Sequence, residues 1–248
     1  MRLLILGGTT EASQLARALA GRADIAATLS LAGRTQSPVA PPIPFRVGGF
    51  GGVEGLRAYL RSERIGAVID ATHPFAVQMS LHANAACRAE GVALAGFTRP
   101  GWARQQGDDW TEVERIEDAV AALGQAPRNV FLTQGRLQLG AVLAAPQHLY
   151  VVRTIDPPEA IAALPRHRLI LARAPFKLED ELALMREERI EILVTKNSGG
   201  AATYPKIEAA RLLGLKVVML SRPRRADAPA LYDLDEALAW IDAHRPAP

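Results

Sequence analysis

The sequence predicts an α/β protein of two similar Rossmann-like domains, each a parallel sheet with helices on both faces, with a ligand cleft between them. Three observations predict it. Short apolar runs alternate with amphipathic helical stretches along the chain, the pattern of βαβ units. Glycine-rich and polar motifs stand where strands pass into helices, and ligands bind at that end of such sheets. The second half also repeats the first: Thr72, Ala86, Arg88, Gly91, Arg99 and Pro100 recur at one constant offset as Thr195, Ala209, Arg211, Gly214, Arg222 and Pro223. The domains are expected at residues 1–125 and 126–248, the first binding a nucleotide and the second contributing the substrate site.

The first strand is Leu3-Leu4-Ile5-Leu6, a run that no polar residue breaks, as a strand buried on both faces requires. It runs through Gly7-Gly8-Thr9-Thr10-Glu11 into a helix patterned by Leu15, Ala16 and Leu19. Residues 25–31 read as a second strand and 36–52 as a Pro/Gly-rich loop with a short strand near Phe45 to Val47. A helix near 53–64 leads to the strand Ala67-Val68-Ile69-Asp70. Thr72 or His73 is expected to cap the next helix, with Pro74 in its first turn and Gly91 at its end. Residues 92–97 form another strand, and 116–123 a helix.

The second half restarts with a strand at 129–133, then Gln134-Gly135 and a short helix. Strands follow near 148–153, 168–173, 192–194 and 216–220, with helices near 177–189 and 204–213. The last helix, 234–241, opens on the capping-box pair Asp233 and Glu236.

Of the 248 residues, 49% are hydrophobic and 22% charged, which suffices for two ordinary cores. No signal-peptide pattern and no apolar run of bilayer length is visible, so a cytoplasmic monomer without membrane contact is expected. The single cysteine, Cys87, lies in an Ala-rich helical pattern and reads as a small core residue, not as a nucleophile. A net charge of +3 without Lys/Arg runs excludes a nucleic-acid binder and suits a small polyanionic ligand.

Gly7, Gly8, Thr9, Thr10 and Glu11 would receive a pyrophosphate at a helix N-terminus. A NAD-binding domain expects an acid after its second strand to hold the ribose 2′-OH. Here Ser30, Arg34 and Thr35 stand instead, and an arginine favours the 2′-phosphate of NADPH. Thr72, His73, Pro74 and Phe75 follow the fourth strand and are expected at the cofactor. His73 has no second ligand at metal spacing, so a capping and cofactor-contact role is preferred to acid catalysis, and no metal site is expected. In the second half Lys196-Asn197-Ser198-Gly199-Gly200 offers many donors at a strand's carboxyl end. Gln134, Gly135, Arg153, Arg173, Lys177, Lys206 and Arg222 add the charge and polarity that a polycarboxylate needs. Neither a Tyr-x-x-x-Lys pair nor a nucleophile elbow is present. Lys196, Ser198 and His73 are therefore candidate catalytic residues that act by position and electrostatics.

Leu6-Gly7-Gly8-Thr9-Thr10-Glu11, Asp70-Ala71-Thr72-His73-Pro74-Phe75-Ala76, Ala174-Pro175-Phe176 and Thr195-Lys196-Asn197-Ser198-Gly199-Gly200 occur in that order. With Lys206, Ala209-Ala210 and Arg222-Pro223, the set resembles the precorrin-6A reductase family of cobalamin biosynthesis over nearly the whole chain. Ala174 stands where that family commonly has Gly. The resemblance implies NADPH-dependent reduction of one double bond in a tetrapyrrole, precorrin-6A to precorrin-6B, without flavin. It also implies a substrate rich in carboxylates, which the scattered basic residues would meet. Two rival classes remain: a cofactor-free two-domain tetrapyrrole synthase or lyase, against which Gly7, Gly8 and Arg34 argue, and a hinged binding protein.

Overall fold

A computed structural model of the chain describes residues 1–33, 40–134, 139–223 and 228–245. In chain order the elements are β1 (Arg2–Leu6), α1 (Thr10–Leu19), β2 (Ala26–Leu31), β3 (Phe45–Val47), α2 (Gly52–Ser62), β4 (Ala67–Asp70), α3 (Val77–Glu90) and β5 (Ala93–Phe97). Next come β6 (Asp109–Val113), α4 (Ile116–Ala121), β7 (Asn129–Leu132), α5 (Leu139–Val142), β8 (Leu149–Thr154), β9 (His167–Leu171) and α6 (Leu178–Glu187). The chain ends with β10 (Ile192–Lys196), α7 (Pro205–Leu212), β11 (Lys216–Leu220), β12 (Ala230–Leu231) and α8 (Leu234–Ala243).

The strands form two six-stranded sheets, ordered β12-β5-β4-β1-β2-β3 and β6-β11-β10-β7-β8-β9. Every pairing is parallel. The two orders are the same once the repeat is applied. Gly91 and Gly214, equivalent in the repeat, turn at φ 65° and 64° after α3 and α7, a left-handed conformation that glycine adopts without strain.

The chain divides into two compact units, Met1–Pro100 with Pro223–Pro248, and Gly101–Arg222. This corrects the expected boundary at 125/126. β6 and α4 follow β5 in sequence but belong to the second unit, with β6 beside β11. β12 and α8 follow β11 but belong to the first, with β12 beside β5. The backbone of an edge strand accepts any partner of suitable length, so side chains decide. Trp110 of β6 packs with Phe131, Val217 and Met219 of the second unit. Leu231 of β12 packs with Phe97 of the first, and Ile241 of α8 joins the same core.

Each strand's period of two feeds both faces of its sheet. Leu3 and Ile5 of β1 face α1 and α8, packing with Leu15, Leu19 and Ile69. Leu4 and Leu6 face α2 and α3, packing with Leu56, Leu60, Val68 and Cys87. Burial pushes the Cys87 thiol up to about 12, so it is an inert core residue. No helix among the described residues is long and apolar enough to cross a membrane.

The second unit carries a built-in pH dependence. His148 is fully buried, and its Nδ1 accepts the Arg128 N–H at 3.2 Å. Burial holds its imidazole below the ordinary value. A group with a depressed folded pKa contributes stability above its unfolded pKa and loses it as pH falls. Thermal stability is therefore expected to drop as pH falls below about 6.5, the usual histidine value. His148→Gln should flatten that part of the Tm–pH curve; an unchanged slope in the variant would exclude His148 as its source.

Candidate active site

In the first sheet the strand order reverses at β1/β4, and the segments leaving these two strands meet. Thr9 Oγ1 donates to the carbonyl of Ala71 at 2.8 Å and accepts the N–H of Ala12 at 3.2 Å, so Thr9 is the N-cap of α1. Its hydroxyl is thus committed to the fold, and what the segment offers a ligand is backbone. A Cβ at Gly7 would lie 2.6 Å from Leu29 Cδ1, so Gly7 is bare in order to pack against β2. Gly8 differs: it has φ +114° and nothing within 4 Å of where its Cβ would stand. The first-turn N–H groups of Thr10 and Glu11 have no intrahelical acceptor. An exposed glycine ahead of an open helix N-terminus fits a pyrophosphate.

Glu11 works against that charge, and Arg99 compensates. Arg99 Nη1 donates to Glu11 Oε2 at 2.7 Å, with both side chains largely buried. The Glu11 carboxylate is thus an ion-pair partner, and what Glu11 offers a ligand is its backbone N–H. Arg99→Ala should leave the Glu11 carboxylate uncompensated at this helix N-terminus, so that a dinucleotide with its pyrophosphate here would bind about tenfold or more weakly, with or without a 2′-phosphate. Equilibrium titration of both nucleotides checks this; a loss confined to one of them would contradict it.

After β4 the chain forms a turn, not the start of a helix. Asp70 is buried, and its Oδ1 accepts both the Thr72 N–H at 3.1 Å and the Thr72 hydroxyl at 2.6 Å. Its Oδ2 accepts the Ser80 hydroxyl at 2.5 Å. The Ala76 N–H closes a turn on the His73 carbonyl at 2.7 Å, and α3 begins only at Val77 with Ala76 as N-cap. The expected capping by Thr72 or His73 is therefore corrected: Asp70 has taken the Thr72 side chain. The Phe75 N–H donates to His73 Nδ1 at 3.2 Å. A backbone N–H can only donate, so Nδ1 holds a lone pair and the ring proton sits on Nε2. Pro74 is buried, while His73 and Phe75 are half-buried with ring centroids 5.8 Å apart.

Ser30 is buried near the end of β2, and its Oγ accepts from Arg46 Nη1 at 2.8 Å. Of the residues expected beside it, Arg34 and Thr35 lie outside the described residues, as does Gly135 in the second unit.

The second sheet repeats the arrangement. Its order reverses at β7/β10, and again one hydrogen bond joins the two departing segments: Lys196 Nζ donates to the Gln134 carbonyl at 2.8 Å. Gln134 is buried, yet neither its Oε1 nor its Nε2 has a partner among the described residues. Two orphaned amide atoms beside a lysine are what a polar ligand would satisfy. Gly199 and Gly200 both turn left-handed, at φ 68° and 75°.

The loop after β10 is fastened by its own polar side chains. Asn197 Oδ1 accepts the Trp102 N–H at 2.7 Å, and its Nδ2 donates to the Trp102 carbonyl at 3.0 Å. Trp102 Nε1 donates to the Gly200 carbonyl at 2.9 Å. Arg222 donates to the carbonyls of Asn197 and Ser198, both at 2.8 Å. Lys206 is buried under this loop, with Nζ 3.0 Å from the Thr203 carbonyl and 4.8 Å from the Trp102 ring centroid. Asn197, Arg222 and Lys206, expected at the substrate, thus build the loop that presents Lys196, Ser198, Gly199 and Gly200.

Arg153 is a clearer departure. Its guanidinium forms a two-pronged pair with buried Glu181 and lies 3.7 Å from the Phe176 ring centroid and 4.8 Å from that of Phe131. Ala174-Pro175-Phe176 therefore includes the aromatic lid of a buried ion pair. Arg173 and Lys177 are exposed, Lys177 only 3.9 Å from Glu179 in a loose surface pair. Among the described residues no three His, Cys, Asp or Glu side chains gather as a metal site would require.

Sequence reasoning missed Arg46, Asp70, Arg99 and Trp102. Arg46 had one visible signal: an arginine within a short strand, two residues before Gly48-Gly49-Phe50-Gly51-Gly52.

Comparison with known proteins shows the family. Residues 2–242 match the family model described as precorrin-6x reductase CbiJ/CobK. The chain is 49% identical over 247 residues to a precorrin-6A reductase of Rhodobacter capsulatus, covering 100% of this chain and 98% of the relative. It is 48% identical to a precorrin-6A reductase of Sinorhizobium sp, covering 100% and 94%. A solved structure of CobK precorrin-6A reductase superposes with TM-score 0.93 at 49% identity, covering 100% of this chain and 98% of that one.

Proposed function

Since the chain belongs to the precorrin-6x reductase family, we propose that it is an NADPH-dependent precorrin-6A reductase, reducing one double bond of the macrocycle to give precorrin-6B in the cytoplasm. The observation that carries this reading is the pair of bridged switch points, Thr9 to Ala71 and Lys196 to Gln134, in a chain matched end to end by reductases of that name.

The first unit has the groups to hold the nucleotide. Gly8 and the first-turn N–H groups of Thr10 and Glu11 would bind the pyrophosphate, with Thr9 fixing the turn. Ser30, and Arg34 and Thr35 beyond it, would meet the 2′-phosphate. The turn at Thr72 to Phe75, held by Asp70, would orient the nicotinamide end and exclude water there with Pro74 and Phe75. Bound NADPH supplies a hydride.

In the second unit Gln134, Ser198, Gly199 and Gly200 would bind the macrocycle by hydrogen bonds, and Lys196 would stabilise charge as it develops. Arg173 and Lys177, exposed on the same unit, would meet its carboxylates, with Gly135 among the loop donors. Arg153 is assigned to the fold.

Anaerobic incubation with NADPH and precorrin-6A tests the reading. Loss of NADPH absorbance with a product heavier by two hydrogens is expected, about one NADPH per macrocycle. Turnover of a tetrapyrrole without NADPH would favour the cofactor-free synthase or lyase instead.

A further inference from the structure

Arg46 carries a charge that no carboxylate among the described residues neutralises. Ser30 and Arg46 are direct partners in the β2–β3 ladder, so their side chains leave the same face of the sheet. Arg46 Nη1 donates to Ser30 Oγ at 2.8 Å and to the Gly48 carbonyl at 2.9 Å, and Nη2 donates to the Gly49 carbonyl at 3.0 Å. The Phe50 ring lies 4.0 Å beneath the guanidinium and the Tyr59 ring 5.3 Å away, which fixes its plane. All its acceptors are neutral. Glu54 of the following helix and Glu63 at its C-cap are taken by other cations, Arg57 and Arg2. A guanidinium has five N–H groups. Nε–H and one Nη2–H of Arg46 have no acceptor among the described residues.

The location decides what such a cation is for. Near the end of the second strand a NAD-binding domain carries an acid that accepts from the ribose 2′-OH. Here that place holds Ser30 with an arginine bonded to it. An acid there would repel a 2′-phosphate; a stacked, pre-oriented and unneutralised guanidinium attracts one and gains little from a bare hydroxyl. We infer that Arg46 is a specificity-determining residue that contacts the 2′-phosphate of the nucleotide, held in place by Ser30, Gly48, Gly49 and Phe50. The inference rests on the reading of the first unit as the nucleotide-binding one, and extends it from the loop arginine, Arg34, to a residue anchored in the sheet.

The test is equilibrium titration of the full chain and of Arg46→Ala with NADPH, NADH, adenosine 2′,5′-bisphosphate and adenosine 5′-monophosphate. NADPH and the bisphosphate should weaken about tenfold to a hundredfold in the variant, with NADH and the monophosphate unchanged. Equal weakening of NADPH and NADH would mean that Arg46 only shapes the loop, and overturns the inference, as does an unchanged preference for NADPH. Arg46→Lys keeps the charge over Phe50 and covers the case in which the alanine variant fails to fold. It should show a smaller loss, again confined to the 2′-phosphorylated ligands, and a uniform loss or none overturns the inference. If the unaltered chain binds no nicotinamide nucleotide, the reading of the first unit falls with it; if the unaltered chain prefers NADPH and the variants do too, only the inference falls.

Discussion

Replacing Glu181 with Leu should destabilise the second unit by about 3–5 kcal/mol, the cost of leaving a buried charge without its partner. The side chains of Arg153 and Glu181 are 8% and 1% exposed, so water cannot take over the role of either. Phe131 and Phe176 cover the guanidinium and give it no acceptor for its N–H groups. The double change Arg153→Met with Glu181→Leu should recover most of the loss, because apolar residues of similar volume often match a buried pair. Denaturant unfolding of the two variants checks both statements. It also separates the two roles open to Arg153. If Glu181→Leu unfolds like the unaltered chain but binds substrate poorly, the pair serves the ligand, and Arg153 returns to the substrate site.

That arginine illustrates what sequence reasoning reached and what it did not. The sheets were legible because strands buried on both faces must be continuous apolar runs, as Leu3 to Leu6 and Ile192 to Val194 are. The loop sites were legible because glycines and donors gather at strand ends: Gly7 to Glu11 and Lys196 to Gly200 lie at the two switch points. The exchange of β6 and β12 was not legible, since the repeat that reveals two halves makes their edges equivalent. Nor does a residue's type state its partner. Arg153 and Arg222 read as ligand cations, but one meets a buried carboxylate 28 residues downstream and the other meets loop carbonyls. Arg46 falls on the short strand expected near Phe45 to Val47, but nothing in the sequence tells that the register sets it on Ser30. Partners of long side chains are tertiary facts that periodicity does not encode.

Lys196→Met should slow single-turnover hydride transfer by about a hundredfold to a thousandfold while leaving nucleotide and macrocycle bound, a loss of the size seen when one preorganised donor is removed. Lys196 Nζ is anchored 2.8 Å from the Gln134 carbonyl, across the switch point of the second sheet. The loop behind it is fastened through Asn197, Trp102 and Arg222, so the charge is preoriented and need not reorganise during reaction. In the proposed reaction electron density would spread through the conjugated macrocycle as hydride arrives, and a fixed cation nearby would stabilise that density more than the ground state. The same delocalisation lowers the demand for a strong protein acid, and water or a substrate carboxylic acid can deliver the proton. His73 fits this division of labour, since its Nδ1 is occupied as an acceptor of the Phe75 N–H. His73→Ala and Ser198→Ala should therefore each lower the rate less than Lys196→Met and abolish nothing, and Lys196→Arg should restore part of it. The measurement is single-turnover reduction at saturating NADPH and precorrin-6A for each variant, with binding of both ligands measured separately. If one substitution removes all detectable transfer while both ligands still bind, that residue is an essential proton donor, and catalysis by position and charge alone is excluded.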